Sequence, residues 1–282
     1  MRTALLIATL ALALPAQASP HTLAVAYFDN NSGDAQYDPL RKGLADMLIT
    51  DLFTLSSLKV VEREKLNAVV DELKLGQTKL VDKTTAVKMG KLLSAEYVLT
   101  GGLTVSKQTL RLDARVFKVE DGGMVATRRV EGSTEDFFSV EKDLVDALVK
   151  DLSLQVAPGE RSKLRRNQTQ SFAAFSTYSR ALDAQDLGNV EEAARLFQAA
   201  LDADPGYASA KTHLERMAAL LKVARTQQAG RVDSELATAK KRKDPAFMAA
   251  QFESMAYLAG HRANRKAAQE LFRLIATRVP AK

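Results

Sequence analysis

The 282-residue chain contains no cysteine. That absence excludes a disulfide framework, thiolate zinc, iron–sulfur ligation and a cysteine nucleophile, and it leaves no acceptor for a lipid thioether at a mature N-terminus. Histidine is scarce. His21, His213 and His261 stand too far apart for an H-x-x-x-H or H-E-x-x-H spacing, so neither a metal nor another cofactor is expected. Aromatic residues make up only 6% of the chain, with no sign of the aromatic girdles of a transmembrane barrel. The apolar run at 4–14 is about eleven residues long, against the roughly 20 that a spanning helix needs, and no later run is long enough.

What is present has globular proportions, with 46% hydrophobic and 26% charged residues in a length that suits about two domains. Residues 1–18 combine Arg2, the apolar run, Pro15 and the small-x-small sequence Ala16-Gln17-Ala18. This is the pattern of a cleaved export signal, which predicts a periplasmic protein beginning at Ser19. Charge is divided unevenly. Residues 19–156 hold 18 Lys and Arg against 21 Asp and Glu, whereas 157–282 hold 21 against 13. Two basic clusters, Arg161-Lys163-Arg165-Arg166 and Lys240 to Lys243, carry much of the second balance. An exported chain without an RRM, zinc-finger or helix-turn-helix signature is not expected to bind nucleic acid. Solvated helix ends and a linker are the simpler account of these clusters; an anionic membrane or cell-wall surface is the functional one.

The first domain is expected at 19–156. An apolar run at 22–28 predicts a strand, followed by a turn-rich loop. Leu40, Leu44, Met47, Leu48 and Leu52 fall at helical spacing and predict a helix to about 53. A short strand at 58–61, a helix through Leu66, Val69, Val70 and Leu73, and a third helix over 84–93 follow. Segments 97–105, 109–119 and 124–130, separated by Ser106-Lys107-Gln108 and Asp121-Gly122-Gly123, read as an antiparallel meander. Its middle strand alternates Leu110, Leu112, Ala114 and Val116 with Arg111, Asp113, Arg115 and Phe117. Phe137, Val140, Leu144, Leu148 and Leu152 then mark a closing helix. The predicted class is α+β, a small α/β sandwich of two or three layers.

Several strings of this domain, taken in order, resemble the CsgG-type curli production assembly/transport family, whose core is related to the N-terminal domain of TolB. They are Val25-Ala26-Tyr27-Phe28-Asp29-Asn30, Gly43-Leu44-Ala45-Asp46-Met47-Leu48, Val61-Glu62-Arg63-Glu64-Lys65-Leu66, Glu72-Leu73-Lys74-Leu75, the run from Gly90 to Gly102, and Val116-Phe117-Lys118-Val119-Glu120-Asp121-Gly122. The resemblance covers about half the chain. It implies a ring of lipid-anchored protomers, each donating two long β-hairpins to an outer-membrane secretion barrel. Two such hairpins call for about 40 inserted residues around the meander. Here the turns at 106–108 and 131–135 are short, and the anchor cysteine is missing. The resemblance also implies that the loop after the first strand, 30–39, narrows a channel, and of that chemistry Asn31 and Tyr37 remain. An exposed turn is the plain alternative for both.

Residues 157–171 are expected as a basic linker and 172–282 as an all-α domain resembling tetratricopeptide repeats. Tyr178, Ala181, Leu182, Leu187-Gly188, Glu192-Ala193, Phe197, Ala200-Leu201 and Asp204-Pro205 follow that repeat. Small residues let antiparallel helices approach, Gly188 permits the turn, and Pro205 stops the second helix. A shift of 75 positions aligns Ala181, Asn189, Ala193, Leu196, Phe197 and Pro205 with Ala256, Asn264, Ala268, Leu271, Phe272 and Pro280.

No arrangement amounts to an active site. His21 lies near an expected frayed end, the other histidines fall in helices, and neither Gly101-Gly102 nor Gly122-Gly123 makes a phosphate-binding loop. The expected function is that of a non-enzymatic, soluble periplasmic adaptor of the CsgG type. It would bind proteins of envelope assembly or secretion, assist export of curli-like surface proteins, and possess the means to form a homo-oligomer. A TolB- or Lpo-like regulator of envelope growth or peptidoglycan synthesis is the alternative, and a secretion channel a third reading. Candidate partner-binding residues are Asn31, Tyr37, Arg165, Arg166, Lys241 and Arg242.

Overall fold

The computed structural model describes residues 20–73 and 82–242. The expected signal segment and the later repeat positions at 256–280 lie outside the described residues. The chain divides into two compact units, Met1–Gln170 and Ser171–Lys282.

The first unit is built on one mixed sheet. Strands β1 (His21–Val25), β2 (Asp29–Asn30), β3 (Leu58–Val60), β4 (Tyr97–Ser106), β5 (Thr109–Lys118) and β6 (Met124–Ser133) are arranged in the order β3-β1-β4-β5-β6, with β2 also on β4. β1 runs parallel to both β3 and β4, while β4, β5 and β6 form the expected antiparallel meander. The 22–28 run is thus broken. β1 leaves β4 after Ala26, whose N–H donates to Leu99 O at 2.8 Å, and β2 rejoins it two register pairs further on.

Helices α1 (Leu40–Leu52), α2 (Arg63–Glu72), α3 (Lys83–Leu92) and α4 (Phe137–Asp151) follow the expected stripes. Leu40, Leu44, Met47, Leu48 and Leu52 are all buried. So are Phe137, Val140, Leu144 and Leu148 of α4, and each such burial is worth about 1.5–3 kcal/mol as an upper bound. Two glycines show which face each helix covers. A Cβ on Gly132 would overlap Val140 Cγ2, and Gly132 pairs with Leu110 across the sheet, so α4 lies on the Leu110-Leu112-Ala114-Val116 face. A Cβ on Gly90 in α3 would overlap Val119 and come within 3.0 Å of Val98 Cγ2. The opposite face therefore holds a second core, in which Val98, Phe117 and Val119 meet Leu66, Val69, Val70, Ala86 and Met89 from α2 and α3.

The stretch expected as a basic linker departs from that reading. α5 (Pro158–Leu164) and the residues after it are packed into the first unit. Glu160 accepts from Ser56 N at 2.8 Å and from Ala157 N at 2.9 Å, Ser57 Oγ donates to Gln155 O at 2.7 Å, and Leu164 and Thr169 are buried. Burial of Leu164 and Thr169 and the hydrogen bonds of Glu160 and Gln168 dock it, whereas charge counting registers only the arginines.

The second unit begins with the hairpin of α6 (Phe172–Asp186) and α7 (Val190–Ala203). Ser171 caps α6 by accepting from Ala174 N at 3.2 Å, and Gly188 makes the turn at φ +75°. Tyr178, Ala181, Leu182, Ala193, Phe197 and Ala200 form its core, joined by Tyr207 and Ala210. α8 (Ala208–Arg242) is one helix of 35 residues. With no proline and one glycine between 208 and 242, and abundant Ala, Leu, Lys, Arg and Gln, nothing in that stretch stops a helix once started.

Candidate functional site

Two sectors of the first unit concentrate polar chemistry. One is the open part of the sheet face that α2 and α3 leave uncovered. Here β4 places Thr100, Gly101 and Gly102, β5 places Arg111, Asp113 and Arg115, β6 places Arg129, and β2 and the residue after it bring Asp29 and Asn31, together lining a pocket of about 230 Å³. Register explains the grouping. Gly102 stands between Asp29 on β2 and Asp113 on β5, Asp113 faces Arg129 on β6, and Arg115 faces Thr100. Asp113 Oδ2 accepts from Arg111 Nε at 2.9 Å and its Oδ1 from Arg129 Nε at 2.8 Å. Asp29 lies 3.9 Å from Arg41 Nη2. Asn31 covers Gly102, where a Cβ would overlap its Nδ2, whereas the Cβ position of Gly101 lies on the other face, 2.6 Å from the buried Phe28 ring.

The 30–39 loop is tied down instead of forming a simple exposed turn. Asn31 N donates to Leu103 O at 2.8 Å, Ser32 Oγ accepts from Val105 N at 2.8 Å, and Asn30 Nδ2 donates to Asp34 O at 2.8 Å and Asp38 Oδ1 at 2.7 Å. Tyr37 ends the short 3-10 helix Ala35–Tyr37 and is half-buried. Of the two residues expected from this loop, Asn31 lines the pocket and Tyr37 does not. Arg165 and Arg166 sit at and beyond the C-terminal end of α5, exposed, with Arg165 paired to Asp146. Lys241 and Arg242 are the last two positions of α8, in the other unit. Sequence reasoning missed Arg111, Asp113, Arg115 and Arg129 as a group; the available signal was the polar half of the β5 alternation, which carries the first three.

The other sector is buried. Lys142 of α4 pairs with Asp51 of α1 and lies 3.3 Å from Glu141 Oε2, while Gln168 Nε2 donates to Asp51 Oδ1 at 3.2 Å and Met47 O at 3.1 Å. Glu141 is fully buried. Burial above all, and then the neighbouring Asp51 carboxylate, push its carboxyl well above the usual range, against the opposing pull of Lys142. This cluster joins α1, α4 and the end of the first unit.

The two described histidines sit apart, one in each unit. His21, expected at a frayed end, opens β1 with its Nδ1 2.7 Å from Glu96 Oε2 and its ring edge-on to Tyr97. His213 stacks on Phe197 at 5.0 Å and pairs with Gln185 at 2.9 Å. His261 lies outside the described residues. Among the described residues no group of three His, Asp or Glu is placed to hold a metal ion, and no helix is long and apolar enough to cross a membrane.

The geometry defines a three-layer α/β/α domain whose apolar sheet surfaces are covered by its own helices, leaving one polar sector open, together with a helical-hairpin unit. The family model described as curli production assembly/transport component CsgG matches residues 8–108. This match supports the CsgG-type resemblance over those residues. A putative adenylate cyclase 3 of Rhizobium meliloti (strain 1021) is 28% identical over 208 residues, 73% of this chain. The chain spans 33% of that relative's length. Among solved structures, the LpoB C-terminal domain from Salmonella enterica is 16% identical, covering 43% of this chain and 87% of its own at a TM-score of 0.35. A PelC dodecamer from Paraburkholderia phytofirmans is 14% identical, with 54% and 93% covered at 0.30. Lipoprotein GNA1162 from Neisseria meningitidis is 16% identical, with 49% and 100% covered at 0.32.

Proposed function

We propose that the protein is a periplasmic accessory protein of the CsgG type that acts at the outer membrane by binding other proteins, in the assembly or export of curli-like surface proteins. The observation that carries this reading is the CsgG family match on a domain whose meander is folded under α4. Its β4–β5 connection is a two-residue turn, Lys107-Gln108, in which Lys107 adopts φ +56°. In this reading the chain binds and does not catalyse. The first unit docks on an assembly machine or on further copies of itself, and the tetratricopeptide-like hairpin of α6 and α7 supplies a surface for a client helix or peptide.

Deleting the gene in its native host and measuring curli-type subunits on the cell surface tests the proposal. Loss of surface subunits with normal cellular levels, restored by the full chain, is expected; unchanged display overturns it. The second reading is a regulator of envelope growth that touches anionic cell wall. It is supported by the exposed Arg161, Lys163 and Arg166 on and after α5. Co-sedimentation with isolated peptidoglycan, abolished by neutralising Arg165, Arg166, Lys241 and Arg242 together, would favour it over the first.

A further inference from the structure

The open sector of the sheet has more cationic donors than the protein uses. Three guanidiniums, Arg111, Arg115 and Arg129, line the pocket against two carboxylates, Asp29 and Asp113. Both carboxylates are already engaged from within the fold. Asp113 spends one oxygen on Arg111 and the other on Arg129, and Asp29 has Arg41 beside it. A guanidinium carries five N–H donors in a planar fork. Arg129 uses its Nε, and Arg111 its Nε plus a contact of 3.5 Å from Nη2 to Thr104 Oγ1. Arg115 has neither a hydrogen bond nor an ion pair among the described residues. The carboxylate between Arg111 and Arg129 holds both forks in place and leaves their outer N–H groups directed elsewhere.

The floor fits the same chemistry. The Asn31 side chain takes the space that a Cβ on Gly102 would need. Its amide therefore forms part of the floor, in the same pocket as the arginines. At about 230 Å³ the space is below the roughly 300–1,000 Å³ of drug-sized ligand pockets, so it suits one charged group and not a whole cofactor. Arginine forks match planar or tetrahedral oxyanions by paired charge-assisted bonds. We propose that this pocket is a binding subsite for an oxyanion, a carboxylate or a phosphate group, with Arg115 as its principal ligand and Arg111, Arg129 and Asn31 completing the cradle. The inference concerns the first unit alone and stands independently of the adaptor reading.

Isothermal titration of the full-length protein with inorganic phosphate and, separately, with acetate, at constant ionic strength set by chloride, tests the subsite. Saturable binding of phosphate alone assigns a phosphate group, of acetate alone a carboxylate, and of both a general oxyanion subsite; each supports the proposal. Arg115→Gln, at an exposed position without a structural partner, is expected to weaken binding about tenfold or more while leaving the thermal midpoint in chloride unchanged. Asn31→Ala is expected to weaken it less. No saturable binding of either anion, or binding that Arg115→Gln leaves unaltered, overturns the proposal.

Discussion

Gly132→Ala tests whether α4 covers the meander. In a strand with ordinary backbone angles and free space above it, exchanging glycine for alanine stabilises a protein by about 0.5–1 kcal/mol, because the unfolded chain loses freedom. Here the added methyl would overlap Val140 Cγ2 and stand 3.9 Å from Val140 Cβ, and Val140 is 3% exposed, with no room to turn away. Overpacking of this kind costs about 1–3 kcal/mol, so the net effect is a destabilisation of about 0.5–2 kcal/mol. Val140→Ala alone removes two buried methyl groups and costs about 1.5–3 kcal/mol in transfer and cavity terms. Combined, the new methyl at 132 enters the space vacated at 140, so the double variant is more stable than the sum of the singles by about 1 kcal/mol or more. Urea unfolding, read by hydrogen exchange of β5 and β6 amides, isolates the first unit. A neutral or stabilising Gly132→Ala, with additive behaviour in the pair, would refute the placement of α4 and restore the possibility that the Leu110 face meets something other than this helix.

Three further outcomes rest on the same kind of reasoning. Lys142→Met leaves Asp51 and Glu141 buried without their shared cation and is expected to cost about 3–5 kcal/mol in urea unfolding. Because Glu141 binds its proton more tightly folded than unfolded, its contribution is fully present below the ordinary carboxylate pKa and is lost as pH rises through the raised folded value; Glu141→Gln should flatten that decline in urea midpoints. In the second unit, Gly188→Ala forces a side chain into φ +75° and is expected to cost about 1–2 kcal/mol in thermal unfolding of the helical signal, with Gly188→Asn milder.

The meander was legible because its determinants are local. Asp121 Oδ1 accepts from Gly123 N at 2.7 Å and Gly122 sits at φ +68°, so the turn is written in three adjacent residues, and the buried half of β5 follows from period-two alternation. The helix stripes at Leu40 to Leu52 and at 137–148 were legible for the same reason. The docking of 157–170 was not, since it rests on Glu160 reaching Ser56 and Gln168 reaching Met47 and Asp51, 104 to 121 residues earlier in the chain. Nor was the arginine pocket, whose members come from β2, the residue after it and three further strands, and which needs the parallel register of β2 against β4 to bring Asn31 over Gly102.

By itself the sequence determined most strands and helices of the first domain, which face of β5 and of α1 and α4 is apolar, and that the chain carries no cysteine thiol. All of these depend on residue type and on spacings of two to four, which chain connectivity alone imposes. Tertiary structure decided the order β3-β1-β4-β5-β6, the burial of Glu141 beside Asp51 and Lys142, and the meeting of Arg111 and Arg129 on the Asp113 carboxylate with Arg115 in the same pocket. Those depend on contacts between distant segments, where many pairings satisfy the same local pattern and only the packing of both sheet faces selects one.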